Sequence, residues 1–262
     1  MAALCLGCTS AAPAPDTTPE APSATEASAE PGGDSATATS GDDLILAAVN
    51  APRDPRDTGR DEIRKPVELL RFFDVAEGMR VADLGSGPGY TASLVAAVVG
   101  PTGKVFAQNP AEWSQFSWPA WEERKANGRL PQVETVERPF DDPLPPEASN
   151  LDLVLSVLIY HDVAYMPFDR DQMNKKVFAA LVPGGIYGVV DHYAVDGAGV
   201  SVAESLHRIE KAIVIAEVEA AGFELVDEAD FLRDHDDDRT SKAWNNPQPV
   251  TDRFVLKFRK PE

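Results

Sequence analysis

The segment Val81-Ala82-Asp83-Leu84-Gly85-Ser86-Gly87-Pro88-Gly89-Tyr90 ends an apolar strand pattern and opens a helical one. That is the context a nucleotide-binding turn requires. Glycines let the backbone turn sharply and approach a ligand with no Cβ in the way. A dinucleotide fingerprint, G-x-G-x-x-G, would put its third glycine at Tyr90. The spacing here is G-x-G-x-G, which disfavours a nicotinamide-dependent oxidoreductase. Proton-transfer candidates come later in the chain. Tyr160-His161-Asp162 follows the apolar run Leu151 to Leu158, and Asp191-His192-Tyr193 ends the run beginning at Ile186. A third histidine, His207, stands beside Arg208, and His235 falls in the charged run Asp234-His235-Asp236-Asp237-Asp238 and reads as solvated surface. Imidazoles titrate near neutral pH, which suits general base work.

The elements that must position these groups read as an alternation. Strands are predicted at Arg80 to Leu84, Lys104 to Gln108, Val133 to Glu137, Leu151 to Leu158 and Ile186 to Asp191. Helices fall at Ile63 to Phe73, Thr91 to Val99, Trp118 to Ala126 and Asp171 to Leu181, with a long one over Val202 to Ala221. Phe223 to Glu228 and Arg253 to Arg259 form a closing pair of strands around a long polar loop. Alternating strands and helices imply a parallel sheet, and the closing pair an antiparallel edge.

Composition divides the chain. Residues 9 to 43 are almost all Ala, Pro, Ser, Thr, Gly, Asp and Glu, with no aromatic residue. Such a segment cannot bury enough apolar surface to offset its ordering entropy. The expected organisation is a residual lipoprotein-type signal over 1–8, a disordered linker over 9–52, and one domain over 53–262. The net charge is -19, of which the first 52 residues contribute -7, leaving -12 on the domain. So acidic a surface repels phosphate backbones and argues against a nucleic-acid substrate. Both cysteines, Cys5 and Cys8, lie in the first eight residues, with no second Cys or His pair nearby to make a zinc site. Leu6-Gly7-Cys8 resembles the end of a bacterial lipoprotein signal, whose cysteine is lipidated. The expectation is a periplasmic domain tethered through Cys8, or a cytoplasmic one if this is no signal. No stretch is long and apolar enough to span a membrane.

The loop Asp83 to Gly89, an acid two residues before G-x-G-x-G, resembles motif I of the class I S-adenosylmethionine-dependent methyltransferases. The resemblance covers about Arg53 to Glu262, including Leu181-Val182-Pro183-Gly184-Gly185 ahead of the fifth strand. Arg60-Asp61 with Arg64-Lys65-Pro66, Asp191-His192, Leu206-His207-Arg208 and Thr251 to Phe258 are similar to segments of a group of predicted bacterial methyltransferases, many of them exported. The fold implied is α/β, a Rossmann-like doubly wound seven-stranded sheet, mostly parallel with an antiparallel C-terminal edge strand.

The resemblance implies S-adenosyl-L-methionine as cofactor and a small molecule as methyl acceptor. Asp83 would hold the methionine amino group, and Gly85, Ser86, Gly87, Gly89 and Tyr90 would pass under the methionine and ribose. Where the family usually ends its second strand with an acid for the ribose hydroxyls, this chain has Gln108-Asn109, so Asn109 is placed at the ribose. Phe140 and Asp141, after the third strand, are placed at the adenine. His161 is the first choice for general base, because that strand end faces the transferable methyl. His192 is next, with Tyr160 and Asp191 beside them. Arg60, Arg64, Lys65 and His207 are candidates for an anionic substrate. Trp113, Phe116, Trp118 and Trp121 form an aromatic cluster, part core and part pocket floor. The chemistry needs no metal, although Asp162, Asp191 and His192 could converge as ligands in the manner of metal-dependent catechol-type methyltransferases. Export would separate such an enzyme from its cytoplasmic cofactor supply. That tension, with Gln108-Asn109, supports a second reading: a non-catalytic module that keeps the fold to bind a nucleoside or other small ligand.

Overall fold

A computed structural model of the chain describes residues 40–126, 130–245 and 249–262. Cys5, Cys8 and residues 9–39 of the expected linker lie outside the described residues. Seven strands make one sheet: β1 Arg80–Leu84, β2 Lys104–Asn109, β3 Val133–Glu137, β4 Leu151–Val157, β5 Leu181–His192, β6 Glu224–Ala229 and β7 Arg253–Arg259. Their order is β3-β2-β1-β4-β5-β7-β6, with β7 antiparallel to both its neighbours and the other pairs parallel. The C-terminal strand is antiparallel as expected, and β6 takes the edge. The side chains explain this: Arg253 to Phe258 are all buried, as an internal strand demands, whereas β6 is mostly exposed.

Ten α-helical segments and one 3-10 turn, Ala111–Trp113, flank these strands among the described residues. The α-helices are α1 Gly41–Asn50, α2 Pro55–Thr58, α3 Asp61–Arg64, α4 Pro66–Phe72, α5 Tyr90–Val99, α6 Ser114–Ala126, α7 Tyr160–Tyr165, α8 Arg170–Ala180, α9 Ala203–Leu206 and α10 Lys211–Ala220. The longest carries no apolar run able to cross a membrane. α5 buries eight of its ten residues, and its small Ala92 and Ala96 let it lie close against β1 and β2.

Three expectations are corrected. Residues 41–50, assigned to the linker, form α1, capped by Ser40 and Asp43 in a reciprocal box, and bury Ile45 and Ala48 in the core. The helix expected over Ile63 to Phe73 breaks at Lys65, whose φ is +47. Proline at 66 disfavours the helical conformation in the residue before it. The helix expected over Val202 to Ala221 breaks at His207, with φ +52. There the chain runs beside the end of β5, where Ile209 N donates to His192 O and Ala194 N to Ile209 O. These tertiary hydrogen bonds override the local helical pattern.

The strand order reverses between β1 and β4, since chain connections leave β1 toward β2 on one side and β4 toward β5 on the other. Open α/β sheets bind ligands outside the carboxyl ends of the strands at such a point. Asp83 is next to last in β1, His161 lies in α7 just after β4, and His192 ends β5, all at that edge.

Candidate active site

A cavity of about 390 Å³ opens at the switch point, within the size range of small-molecule sites. Its wall is built from Asp83 and the glycine loop, Arg60 and Arg64 from α3 and the turn before it, Trp113 and Phe116, and the histidines 161, 192 and 207.

The loop's curvature rests on glycine. Gly85, Gly87 and Gly89 have φ of +58, +52 and +94, which strains any residue with a Cβ. Their surroundings differ. A Cβ at Gly89 would stand 2.6 Å from the Trp121 ring and one at Gly85 2.8 Å from Ile159, but one at Gly87 would meet nothing within 4 Å. Gly87 therefore faces the cavity. The two substitutions are expected to part company. Gly89→Ala lowers the thermal midpoint, since Trp121 cannot move aside. Gly87→Val keeps the midpoint within a few degrees, roughly the 1–2 kcal/mol of its backbone strain, while filling ligand space. A parallel melting and ligand-titration series checks both.

The loop is fixed from below. Gly85 N donates to Gln108 Oε1 at 3.0 Å and Gly87 N to Asn109 Oδ1 at 2.8 Å. The Asn109 amide donates in turn to Ser86 Oγ, and Trp121 Nε1 to Gly87 O. Arg124 donates to Pro88 O and forms a buried ion pair with Asp57, tying α6 and α2 to the loop. Both amides at the end of β2 are thus engaged with the loop. Asn109, with its Oδ1 bound to Gly87, is not brought to the cavity. Neither are Phe140, buried between Trp113 and Phe168, and Asp141, which is absent from the cavity wall.

Asp83 is 2% exposed, and its Oδ2 has no hydrogen-bond partner among the described residues. Burial raises its carboxyl to about 7, against the opposing pull of the Ala92 amide and the Arg64 charge. A carboxyl so placed favours a cationic, hydrogen-bond-donating ligand group. Arg60 and Arg64 reach the cavity over the Tyr90 ring, 5.3 and 5.6 Å from its centroid, and Tyr90 donates to Asp61. Lys65 takes the break between α3 and α4 and is absent from the cavity wall.

Opposite lies a histidine cluster organised by Asp191, which is fully buried. Asp191 accepts from His161 N at 2.8 Å and His192 N at 2.7 Å, and its Oδ1 lies 2.6 Å from His161 Nδ1. Burial opposes the charged form of His161, but the Asp191 charge and bonds to Asp162 and Asp191 outweigh it and raise the ring to about 10. His192 goes the other way: burial and then the Arg253 charge push it well below its ordinary value. Its Nδ1 lies 2.8 Å from Thr251 Oγ1, which accepts from Arg253 Nε. His207 enters from the break after α9, 5.3 Å from His161 between ring centroids. Tyr160 is fully buried away from the cavity, donating to Glu217 and accepting from Asn174. His235 is exposed.

Sequence reasoning did not anticipate Tyr165, Ile159 or Trp244 in the wall. Nor did it anticipate Leu158, whose φ of +60 turns the chain from β4 into α7. No pattern of spacing marks Trp244, which arrives from a polar loop. Of the aromatic cluster, Trp113 and Phe116 floor the cavity, Trp121 supports the loop, and Trp118 donates to Glu137 at 2.6 Å.

Known proteins resemble the chain in sequence and in fold. Residues 64–112 match the family Protein-L-isoaspartate(D-aspartate) O-methyltransferase. The chain is 31% identical over 178 residues to trans-aconitate 2-methyltransferase of Variovorax paradoxus, 66% of this chain and 58% of that relative's length. The match thus spans less than two thirds of the curated relative. Among solved structures, a SAM-dependent methyltransferase from Aquifex aeolicus superposes with TM-score 0.58 at 19% identity, covering 79% of this chain and 94% of that one. The [4+2]-cyclase SpnF superposes with TM-score 0.55 at 16% identity, covering 83% and 91%.

Proposed function

We propose that the chain is a class I S-adenosyl-L-methionine-dependent methyltransferase that transfers a methyl group to a small-molecule acceptor in the cavity between Asp83 and His192. The observation that carries this reading is the buried Oδ2 of Asp83, without a hydrogen-bond partner among the described residues, beside a glycine cradle whose Gly87 leaves its Cβ space open. These features fit the family's cofactor, whose methionine end carries an ammonium group and which, when bound, supplies an electrophilic methyl on a sulfonium centre.

What the chain's own residues do follows from their positions. Asp83 holds the ammonium, and Gly85, Ser86 and Gly87 line the path of the ligand beside it. Trp113 and Phe116 exclude water from the apolar side. His192 Nδ1 is held by Thr251, leaving Nε2 to take a proton from the acceptor, so His192 is the proposed general base. Asp191 orients His161 and the backbone of His192, and acts as a positioning residue. Arg60 and Arg64 favour an acceptor with a carboxylate. The relative named for trans-aconitate, a carboxylic acid, supports that class. We also propose that Cys8 carries a lipid and tethers the domain outside the cytoplasm, supported by Leu6-Gly7-Cys8; incorporation of labelled palmitate into the chain but not into Cys8→Ala tests it.

Formation of S-adenosylhomocysteine with a panel of small carboxylates and phenols tests the enzymatic reading. Turnover is expected with the parent chain. His192→Ala is expected to lower kcat by about 100-fold or more for an acceptor that must lose a proton, with cofactor affinity unchanged. Cofactor binding without turnover on any acceptor would favour the non-catalytic module instead.

The Asp83 carboxyl gives a pH signature. Raised to about 7 in the free protein, it must ionise to hold an ammonium, so binding releases a proton below that pH. Affinity is expected to fall about tenfold for each pH unit below 7. Above about pH 8 it falls again as an α-amino group loses its own proton. Calorimetry in two buffers of different ionisation enthalpy counts the released proton.

A further inference from the structure

His161, Asp162 and His207 form the one group of potential metal ligands found among the described residues. We propose that His161 Nε2, Asp162 Oδ1 and His207 Nδ1 bind a divalent transition-metal ion of the zinc type, with its fourth position open to the cavity.

The geometry is specific. His161 Nε2 lies 3.3 Å from Asp162 Oδ1, His207 Nδ1 lies 3.3 Å from the same oxygen, and the two nitrogens lie 3.3 Å from each other. Three donors on an equilateral triangle of that edge form one face of a tetrahedron whose centre is about 2.0 Å from each, the bond length of zinc to imidazole and carboxylate. The same edge in an octahedron would need bonds of about 2.3 Å, too long for zinc. Two imidazoles and one carboxylate make a donor set suited to zinc, iron or copper rather than to magnesium or calcium.

The surroundings match a ligand set as well. Asp191 Oδ1 sits 2.6 Å from His161 Nδ1 and can keep a proton there while a metal displaces the one on Nε2, the atom in the triangle. A carboxylate behind a ligating histidine is the common outer partner of metal sites. Tyr165 donates to Asp162 Oδ1 at 3.0 Å and fixes the carboxylate in turn. His207 itself has φ +52, and this left-handed turn ends α9 and brings its ring against His161. Without an ion, two imidazole nitrogens face each other at 3.3 Å beside one carboxylate oxygen. With one, both lone pairs and the negative charge converge on a single centre.

All three residues line the cavity that Asp83 also lines, so the open vertex faces the acceptor's side of the site. Three protein ligands with one open position is the arrangement of catalytic rather than structural zinc. The ligand for that vertex is an oxygen or sulfur of the acceptor. The set differs from the Asp162, Asp191 and His192 grouping suggested by sequence, because Asp191 is spent on His161 and on the two backbone amides.

The metal site stands without the cofactor reading, and the test keeps them apart. Full-length chain, stripped with chelator and free of cofactor, is titrated with Zn²⁺ by calorimetry and with Co²⁺ by visible absorption. One equivalent is expected to bind, with the intense visible bands of tetrahedral Co²⁺. His207→Asn, which tolerates the same backbone conformation, and Asp162→Asn are expected to weaken Zn²⁺ binding about 100-fold. Asp191→Asn is expected to weaken it 10- to 100-fold. His235→Ala, at an exposed histidine outside the cluster, should leave it unchanged. Thermal melting confirms that each variant is folded. Equal Zn²⁺ affinity in the parent and both ligand variants, or a Co²⁺ spectrum no different from the hydrated ion, would overturn the proposal. S-adenosylmethionine is then titrated into the stripped chain separately, so a protein that binds one and not the other identifies which reading fails.

Discussion

Asp83→Asn is expected to bind S-adenosylmethionine about 100-fold more weakly while melting at the same or a higher temperature at about pH 8. The two halves of this result share one cause. In the free protein the carboxyl is buried, its Oδ2 has no hydrogen-bond partner among the described residues, and burial raises it to about 7. A carboxyl whose value is higher folded than unfolded holds a proton in the native state that the unfolded chain has already released. Stability therefore falls as pH rises from about 4 toward 7, and above that range the full cost remains. The amide removes that cost, about 1–3 kcal/mol by the usual measure of a buried polar group, and can still accept from the Ala92 amide. What it cannot do is pair with an ammonium. Losing one partner of a desolvated, hydrogen-bonded charge pair costs about 2–5 kcal/mol of binding, which sets the fall in affinity. A variant that lost both stability and affinity would show Asp83 to be a structural residue. Melting curves and cofactor titration on one preparation separate the cases.

Trp121→Ala is expected to destabilise the fold by about 3–5 kcal/mol and to abolish ordered ligand binding with it. Trp121 is 1% exposed, its ring fills the space beneath Gly89, and its indole N–H donates to Gly87 O at 3.0 Å. Truncation leaves a cavity and takes the shorter of two hydrogen bonds from the Gly87 carbonyl, which keeps only Asn109 Nδ2 at 3.3 Å, under the segment whose curvature makes the site. Trp121→Phe keeps most of the volume and loses the hydrogen bond, so it should lie between, at about 1–2 kcal/mol. Denaturant titration measures both. A small effect of the alanine variant would mean that the loop holds its shape through Gln108, Asn109 and Arg124 alone.

Much of the fold was legible because the strands are short apolar runs bounded by turn residues. The bounds expected for β1, β3 and β7 agree with the structure to the residue. The helix breaks at Lys65 and His207 were not legible for two different reasons. At Lys65 the signal was present, since Pro66 restricts the residue before it, but the apolar periodicity on either side masked it. At His207 the cause is tertiary: the hydrogen bonds of Ile209 to the end of β5 cannot be read from local sequence.

The site divides the same way. The Asp83 to Gly89 loop is a local motif: Asp83, Gly85, Ser86, Gly87 and Pro88 line one cavity, whereas Gly89, expected at the ligand, turns toward Trp121 instead. Gln108 and Asn109 departed from the expected acid at the end of β2, and the structure gives them a different task. Both hydrogen-bond the glycine loop, a role that spacing alone does not reveal. The meeting of His161, Asp162 and His207 was equally hidden. It joins residues 46 positions apart through a strained turn that sequence patterns render as unbroken helix.

The cradle from Asp83 to Pro88 is proposed to hold S-adenosylmethionine. Calorimetric titration of the full-length chain with S-adenosylmethionine and S-adenosylhomocysteine, with NAD as control, tests it most directly. Binding of both sulfur nucleosides at micromolar concentration, no response to NAD, and loss of the signal in Gly87→Val are the predicted results. Binding of NAD, or no binding of either sulfur nucleoside by a folded chain, would contradict it.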